Sequence, residues 1–384
     1  MRASLFSAAL VASLVGFGST LALVLAAAAA VGASPAQTTS WVLAVSLAKG
    51  LGSAGLSWWT RQPVVLAWST AGAALVIATE GVTFPEAAGA FVLAGLLIAT
   101  LGLVRPLGRL VALIPDAVAG GMLAGILLPF CLALPPALAA LPLLVGPMAG
   151  TFALVRLRSP AWAVLAAMGV GLGLAYATGA AGAPAFSGFP RLVPLAPDFD
   201  WGVAVGLALP LALVTMASQN LPGFAVMRAA GFEPRVGLSL TTTGLLSAAS
   251  GLFGGHTVSQ AAITAAICLG EDAHPDPRER WRVGLVYGAM WVLLAFLSPF
   301  VVAVLAALPP ALVAGIVGLA LLNPLLGALT AAVAAPSTRL PAVVTLAVTA
   351  SGVAAFGVGA AFWGLLAGLA LVALDRLAAR RAAR

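Results

Sequence analysis

Basic residues in this chain come in short clusters. Seventeen of the eighteen fall on one face of a membrane when the apolar runs between them are threaded across it. The runs are roughly 17–25 residues long, the length needed to cross a hydrocarbon core about 30 Å thick. Cytoplasmic loops collect Lys and Arg, so the clusters orient the thread as well as counting its crossings.

The consistent threading has fourteen spans, near 5–31, 38–58, 63–79, 86–104, 113–134, 138–155, 160–178, 201–222, 236–252, 255–269, 282–304, 309–332, 340–356 and 359–377. Both termini then lie in the cytoplasm. The cytoplasmic groups are Arg2; Lys49 with Arg61; Arg105 with Arg109; Arg156 with Arg158; Arg228 with Arg235; Arg278, Arg280 and Arg282; Arg339; and the tail from Arg376 to Arg384. Opposite loops carry Glu80, Glu86, Asp198, Asp200 and the exception, Arg191. Lys49 sits late in the second span and reads as a side chain snorkelling to the cytoplasmic face.

The net charge of +7 is explained as a retention signal facing anionic lipid. No basic, aromatic-interleaved soluble segment offers itself to nucleic acid. The first apolar run is long for a signal peptide, and removing it would spoil the charge alternation downstream. Cys131 and Cys268 fall in or beside apolar spans, and neither a disulfide, a metal site nor a cofactor is expected. The segment EDAHPDPRER at 271–280 reads as a solvated cytoplasmic connector.

A repeat is visible at a constant offset of 194, where Pro115 aligns with Pro309, Ala117 with Ala311, Gly121 with Gly315, Leu127 with Leu321 and Leu128 with Leu322. These stretches are spans five and twelve, seven apart. A seven-span unit inverts its successor in the bilayer, so the expected architecture is a 7+7 inverted repeat, residues 1–195 and 196–384, of the kind found in secondary transporters.

Spans three and ten are also seven apart, and both look broken. In the third, β-branched sequence from Pro63 to Trp68 precedes Ser69 and Thr70, good helix caps, and then an Ala-rich helix. In the tenth, Gly251, Gly254 and Gly255 interrupt the helix before His256, Thr257, Ser259, Gln260 and the helical AAITAAI. Each reads as a short strand followed by a half-helix that starts within the membrane. Free backbone groups at that depth are tolerated only where they line a protein-buried cavity. Two such helix starts suit an anion, at about 0.3–1 kcal/mol per terminus, so direct hydrogen bonds are needed as well. Span eight adds Gln219 and Asn220, amides expected to face the protein interior. The candidate binding residues are therefore Trp68, Ser69, Thr70, Gln219, Asn220, His256, Thr257, Ser259 and Gln260. His256 is also the candidate proton carrier, since imidazole titrates near neutral pH.

AWSTAGAAL at 67–75, LVTMASQNLPG at 213–223, AAITAAICLGEDAHPD at 261–276, and VTASGV with GAAFWGLLAG at 348–368 closely resemble the BenE family of benzoate:proton symporters. The resemblance runs over essentially the whole chain. It implies an all-α polytopic fold shared with nucleobase/ascorbate and sulfate-type anion transporters. In that fold a core (1–110 and 196–304) moves against a gate (111–195 and 305–384), with substrate held between spans one, three, eight and ten. Related nucleobase carriers have a carboxylate on span eight where this chain has Gln219. A neutral amide there suits an anionic substrate. The expectation is a multi-pass protein of a bacterial inner membrane, importing a small aromatic carboxylate with protons. It is not expected to be an enzyme, and a homodimer is an admissible assembly. Rival expectations are a nucleobase or an inorganic anion on the same fold.

Overall fold

The computed structural model describes residues 3–104, 114–186, 188–271, 273–353, 355 and 358–382. Arg2, Arg105, Arg109 and Arg384 of the threading lie outside them. The chain is mostly helical. Its first half contains α1 (Ala3–Ala30), α2 (Pro35–Thr60), β1 (Leu66–Trp68), α3 (Thr70–Ile77), α4 (Phe84–Leu103), α5 (Asp116–Leu132), α6 (Leu134–Ala140), α7 (Pro142–Val155) and α8 (Pro160–Ala177). A connector without regular structure leads to α9 (Trp201–Ala229), then α10 (Val236–Gly251), β2 (Val258–Gln260), α11 (Ile263–Leu269), α12 (Trp281–Phe296), α13 (Ser298–Ala306), α14 (Pro310–Val333), α15 (Arg339–Ala350) and α16 (Ala360–Ala382).

Among the described residues, six helices are long and apolar enough to cross a membrane, and seven if α12 and α13, bent by 57°, count as one crossing. Of the remaining segments of the fourteen-span thread, α2 is long enough but not apolar enough, and the others are too short or too interrupted to pass on length. Both broken spans are of this kind: β1 leads into α3, and β2 into α11. The repeat alignment coincides with a structural feature, because α5 and α14 both begin directly after the aligned prolines, Pro115 and Pro309.

The strands form one antiparallel ribbon, with Leu66 opposite Gln260, Ala67 opposite Ser259 and Trp68 opposite Val258. Bonds from Ser69 N to Thr257 O and from Ala261 N to Val65 O, each 2.9 Å, close its two ends. The turn into β2 needs Gly254: its φ is +83°, and a Cβ there would lie 2.3 Å from Phe84 Cζ. Span eight is continuous through Pro210 and Pro222 to Ala229, beyond its expected end. Wider π turns at Ala204–Ala208 and Met216–Asn220 interrupt the regular hydrogen-bond ladder close to the two prolines.

Two helix pairs pack the ribbon from either side, and both rely on close backbone approach. On α4 and α10, a Cβ at Gly95 would sit 2.4 Å from Ala248 N, and one at Gly244 would sit 2.3 Å from Ala99 N. On α2 and α12, Gly50 and Gly288 face one another in the same manner. We expect Gly95→Val to cost about 1–3 kcal/mol by overpacking. Gly55→Ala, on an open face of α2, should instead stabilise by about 0.5–1 kcal/mol. Thermal unfolding of the two variants in detergent checks the contrast, and equal melting temperatures would refute it.

Candidate functional site

In a bilayer an open sheet edge has no water to bond, so the ribbon's outer edges need protein partners. The edge of β1 is served by α2: Leu66 N donates to Ser53 Oγ at 3.0 Å, and Val64 N donates to Ser57 Oγ at 2.9 Å. Tyr287 of α12 donates its hydroxyl to Leu66 O at 2.9 Å. The edge of β2 is served by α10 and α9: Val258 N donates to Ser247 Oγ at 2.8 Å, and Gln260 N donates to Asn220 Oδ1 at 2.9 Å. Where the ribbon turns into α3, Thr215 donates to Ser69 Oγ at 3.0 Å and lies 2.8 Å from Thr257 Oγ1. Ser69 Oγ in turn accepts from Gly72 N, which caps α3. Arg280, buried and not solvated as its loop suggested, donates to Leu269 O at 3.0 Å and so caps the C-terminal end of α11.

The other side of this construction is a cavity of about 630 Å³. Its walls come from α1 (Val15, Gly16, Thr20), β1 and α3 (Ala67, Trp68, Thr70, Ala71), α9 (Ala217, Ser218, Gln219, Leu221, Pro222, Ala225) and the start of α11 (Ala261, Ala262, Thr264). Across from them stand α5 (Asp116, Ala119, Gly120, Leu123, Leu127) and α14 (Ala320, Asn323, Pro324, Gly327, Ala328, Ala331). The lining is mainly apolar, with a few polar groups converging on it, as in ligand sites generally.

The nine candidate residues therefore divide. Trp68, Thr70 and Gln219 line the cavity. Ser69, Asn220, Thr257, Ser259 and Gln260 are buried in the ribbon and its supports, and none of them lines the cavity. His256 lies behind the ribbon. It precedes β2 and is not at the head of the half-helix, which begins only at Ile263. Trp41 donates its indole N–H to His256 Nδ1 at 2.9 Å, so a neutral ring carries its proton on Nε2, which has no well-formed partner among the described residues. Phe91 and Trp41 enclose the ring. Among the described residues no cluster of three His, Cys, Asp or Glu side chains comes together.

Lys49 is where the structure departs most from the sequence expectation. It does not snorkel: it is 1% exposed and lines the cavity. Its Nζ lies 3.1 Å from the ring centre of Trp291, 4.7 Å from that of Trp68 and 6.0 Å from that of Tyr287. No carboxylate lies within 4.0 Å of it among the described residues. Rings contribute up to about 2 kcal/mol to a desolvated cation, whereas removing an ammonium from water costs several kcal/mol. The aromatic box alone falls short, and an anion in the cavity would supply the remainder. A signal for this was present in the composition: Lys49 is the only lysine in the chain, every other basic residue being arginine.

The family described as benzoate membrane transport protein (BenE) matches residues 1–374. The chain belongs to the BenE family. It is 40% identical over 377 residues to the inner membrane protein YdcO of Escherichia coli, covering 97% of this chain and 96% of that one. It is 32% identical over 364 residues to the benzoate membrane transport protein of Acinetobacter baylyi, covering 94% and 92%. Its fold is that of the transmembrane domain of the cyanobacterial bicarbonate transporter BicA, with a TM-score of 0.60 at 15% identity over 95% of this chain and 96% of that one. SLC26A9 gives a TM-score of 0.65 at 15% identity, over 96% of this chain and 65% of that one. This BenE-family chain is thus a multi-pass membrane transporter and not an enzyme.

The serines at the ribbon edges generate a prediction. Ser247→Ala strips the buried Val258 N–H of its side-chain acceptor and should cost about 1–3 kcal/mol; Ser57→Ala removes two bonds to Val64, whose N–H keeps Gln62 O, and should cost about 0.5–1.5 kcal/mol. Ser7→Ala, at an exposed position on α1, should be neutral. Thermal unfolding in detergent reads all three, and neutrality at Ser57 and Ser247 would mean the ribbon edges are satisfied some other way.

Proposed function

We propose that the protein imports benzoate or a similar aromatic monocarboxylate with protons, in the inner membrane of a bacterium, with both termini cytoplasmic. The observation that carries this reading is the cavity itself, an apolar, tryptophan-walled hollow with one lysine amine in its wall that has no carboxylate partner among the described residues. A carboxylate pairs with Lys49, and the ring lies against Trp68 and the alanine and leucine walls. Gln219 and Thr70 donate to the remaining carboxylate lone pairs. An inorganic anion would make little use of the apolar walls, and a nucleobase would leave the ammonium without a counter-charge. Proton coupling has an electrical rationale: an entering anion works against the membrane potential at ~2.3 kcal/mol per 100 mV, and an anion with its proton does not.

The helix pairing supports the 7+7 reading. Span two packs on span eleven (α2 on α12) as span nine packs on span four (α10 on α4), and the ribbon pairs span three with span ten. That is the pattern a two-fold axis in the membrane plane produces. In this reading spans 1–4 and 8–11 form the core that carries the ribbon, while spans 5–7 and 12–14 form the gate. The cavity runs toward Asp116 and Ala331, at the ends of α5 and α14 that the threading places near the cytoplasm, so the conformation is inward-facing. Ser69, Asn220, Thr257, Ser259 and Gln260 act by holding the ribbon. A homodimer joined through the gate fits this scheme.

For the proton, the geometry favours a group in the cavity wall over His256, whose ring is enclosed behind the ribbon. Proteoliposomes with an alkaline lumen should accumulate labelled benzoate. Unlabelled benzoate should compete, bicarbonate and uracil should not, and a protonophore should collapse the gradient. Transport of bicarbonate or uracil in place of benzoate would sink the substrate assignment. His256→Gln, which keeps an acceptor for Trp41, should retain pH-driven uptake within about threefold, a change worth less than 1 kcal/mol. Loss of pH dependence in that variant would restore the histidine as carrier.

A further inference from the structure

Lys49 is the only side-chain amine of the chain, and it stands in the wall of the transport cavity without a carboxylate partner among the described residues. The other seventeen basic residues are arginines, which stay charged at any working pH. An amine differs from a guanidinium in one relevant respect: it can give up its proton and take it back. Resting on the substrate reading above, we propose that Lys49 is the group at which the transported anion and its proton meet.

The step balances simply. An unoccupied amine binds one proton from the outer side together with one carboxylate, forming an ammonium–carboxylate pair of zero net charge. On the inner side the carboxylate leaves to the cytoplasm and the proton follows it to water. The empty carrier then returns without a charge. Binding of anion and proton at one point makes each raise the affinity for the other by the same factor, as linkage requires. Trp291 and Trp68 hold the amine in place, and their ring faces accept the cationic form. An arginine would hold the anion equally well but could not release the proton with it.

The other titratable groups around Lys49 do not replace it. Tyr287 of α12 is committed to Leu66 O, and Cys268 of α11 lies beside it. His256 is enclosed by Trp41 and Phe91 and is not part of the cavity lining. Asp116 of α5 is exposed on the far wall and would repel the substrate. Helix α1 presents no titratable side chain among its described residues.

The test is calorimetric titration of benzoate into the purified, full-length protein, from roughly pH 6 to 9, in buffers of contrasting ionisation heat. Uptake of close to one proton per benzoate is expected, with affinity falling about tenfold per pH unit at the alkaline end. Lys49→Met should weaken benzoate binding on the order of a hundredfold and take up no proton. Lys49→Arg should bind with a flat pH profile, exchange labelled for unlabelled benzoate in proteoliposomes, and fail to accumulate it under a pH gradient. A measurement on the unaltered protein stands beside the variants in case they fail to fold. Reductive methylation of Lys49, located by mass spectrometry, should be slowed about tenfold or more by benzoate, because the paired ammonium is no longer a nucleophile. A flat pH profile without proton uptake in the unaltered protein, or unchanged proton uptake in Lys49→Met, overturns the assignment and leaves the substrate reading standing. No binding of any aromatic carboxylate by the unaltered protein overturns both.

Discussion

Six residues of extended backbone buried among transmembrane helices govern how this molecule is assembled. A helix satisfies its own peptide groups, but a two-stranded ribbon satisfies only its inner edge, and lipid offers nothing to the outer ones. The protein therefore surrounds the ribbon with short hydroxyl and amide side chains on helices that must lie alongside it. Ser53 and Ser57 tie α2 to one edge, and Ser247 ties α10 to the other. Asn220 and Thr215 anchor α9 across the ends. Glycine-lined contacts between α2 and α12, and between α4 and α10, bring the helix axes close enough for these bonds to form. The ribbon and its helices are thus one unit, and the cavity is the space left where the ribbon turns into two short helices.

This arrangement separates two tasks that the sequence presents intermixed. Hydroxyls and amides behind the ribbon hold shape, and most of them have their hydrogen bonds filled. Groups in front of it have spare capacity: Gln219 and Thr70 border open space, and the Lys49 ammonium meets only ring faces. A π turn helps to make the division. It places Asn220 toward the ribbon and the adjacent Gln219 toward the cavity, so neighbours in sequence serve opposite sides.

The reach of the sequence follows from the same physics. Helix limits are legible because apolar length is imposed by the bilayer, and the observed helices begin and end within a few residues of the expected limits in most cases, although only six or seven of them are long and apolar enough to cross a membrane among the described residues. The broken spans were legible because Pro63, Ser69, Gly254 and Gly255 are poor interior-helix residues whatever surrounds them. The place of His256 is not legible in the sequence, because a polar residue after paired glycines is compatible with a helix cap, and periodicity cannot show that six further residues form a turn and a strand before the helix starts at Ile263. The serines of α2 and α10 were invisible as ribbon partners, since a serine in an apolar helix usually bonds back to its own preceding turn. Lys49 could have been placed correctly. It lies eleven residues before the end of α2 at Thr60, about 16 Å along the axis at 1.5 Å per residue, farther than a lysine side chain extends.

Selectivity follows from how few charged groups the cavity holds. In the reading proposed above, Lys49, Gln219 and Thr70 hold one carboxylate; the rest of the lining adds neutral polar groups (Thr20, Ser218, Thr264 and Asn323) and one acid, Asp116, but no second cation among the described residues. A second carboxylate on the substrate would lose its water without a second cation to meet it and would share the cavity with Asp116, and that loss is severe for a charged group. An uncharged analogue of the same shape would gain the apolar contact but not the charge pairing that brings a proton onto Lys49. A ring substituent of modest size meets a weaker penalty, because an apolar wall discriminates poorly against small additions. On the proposed reading, the site is stringent about charge and permissive about ring decoration. That ordering is set by placing a single lysine, in an otherwise arginine-only chain, at the centre of an apolar cavity.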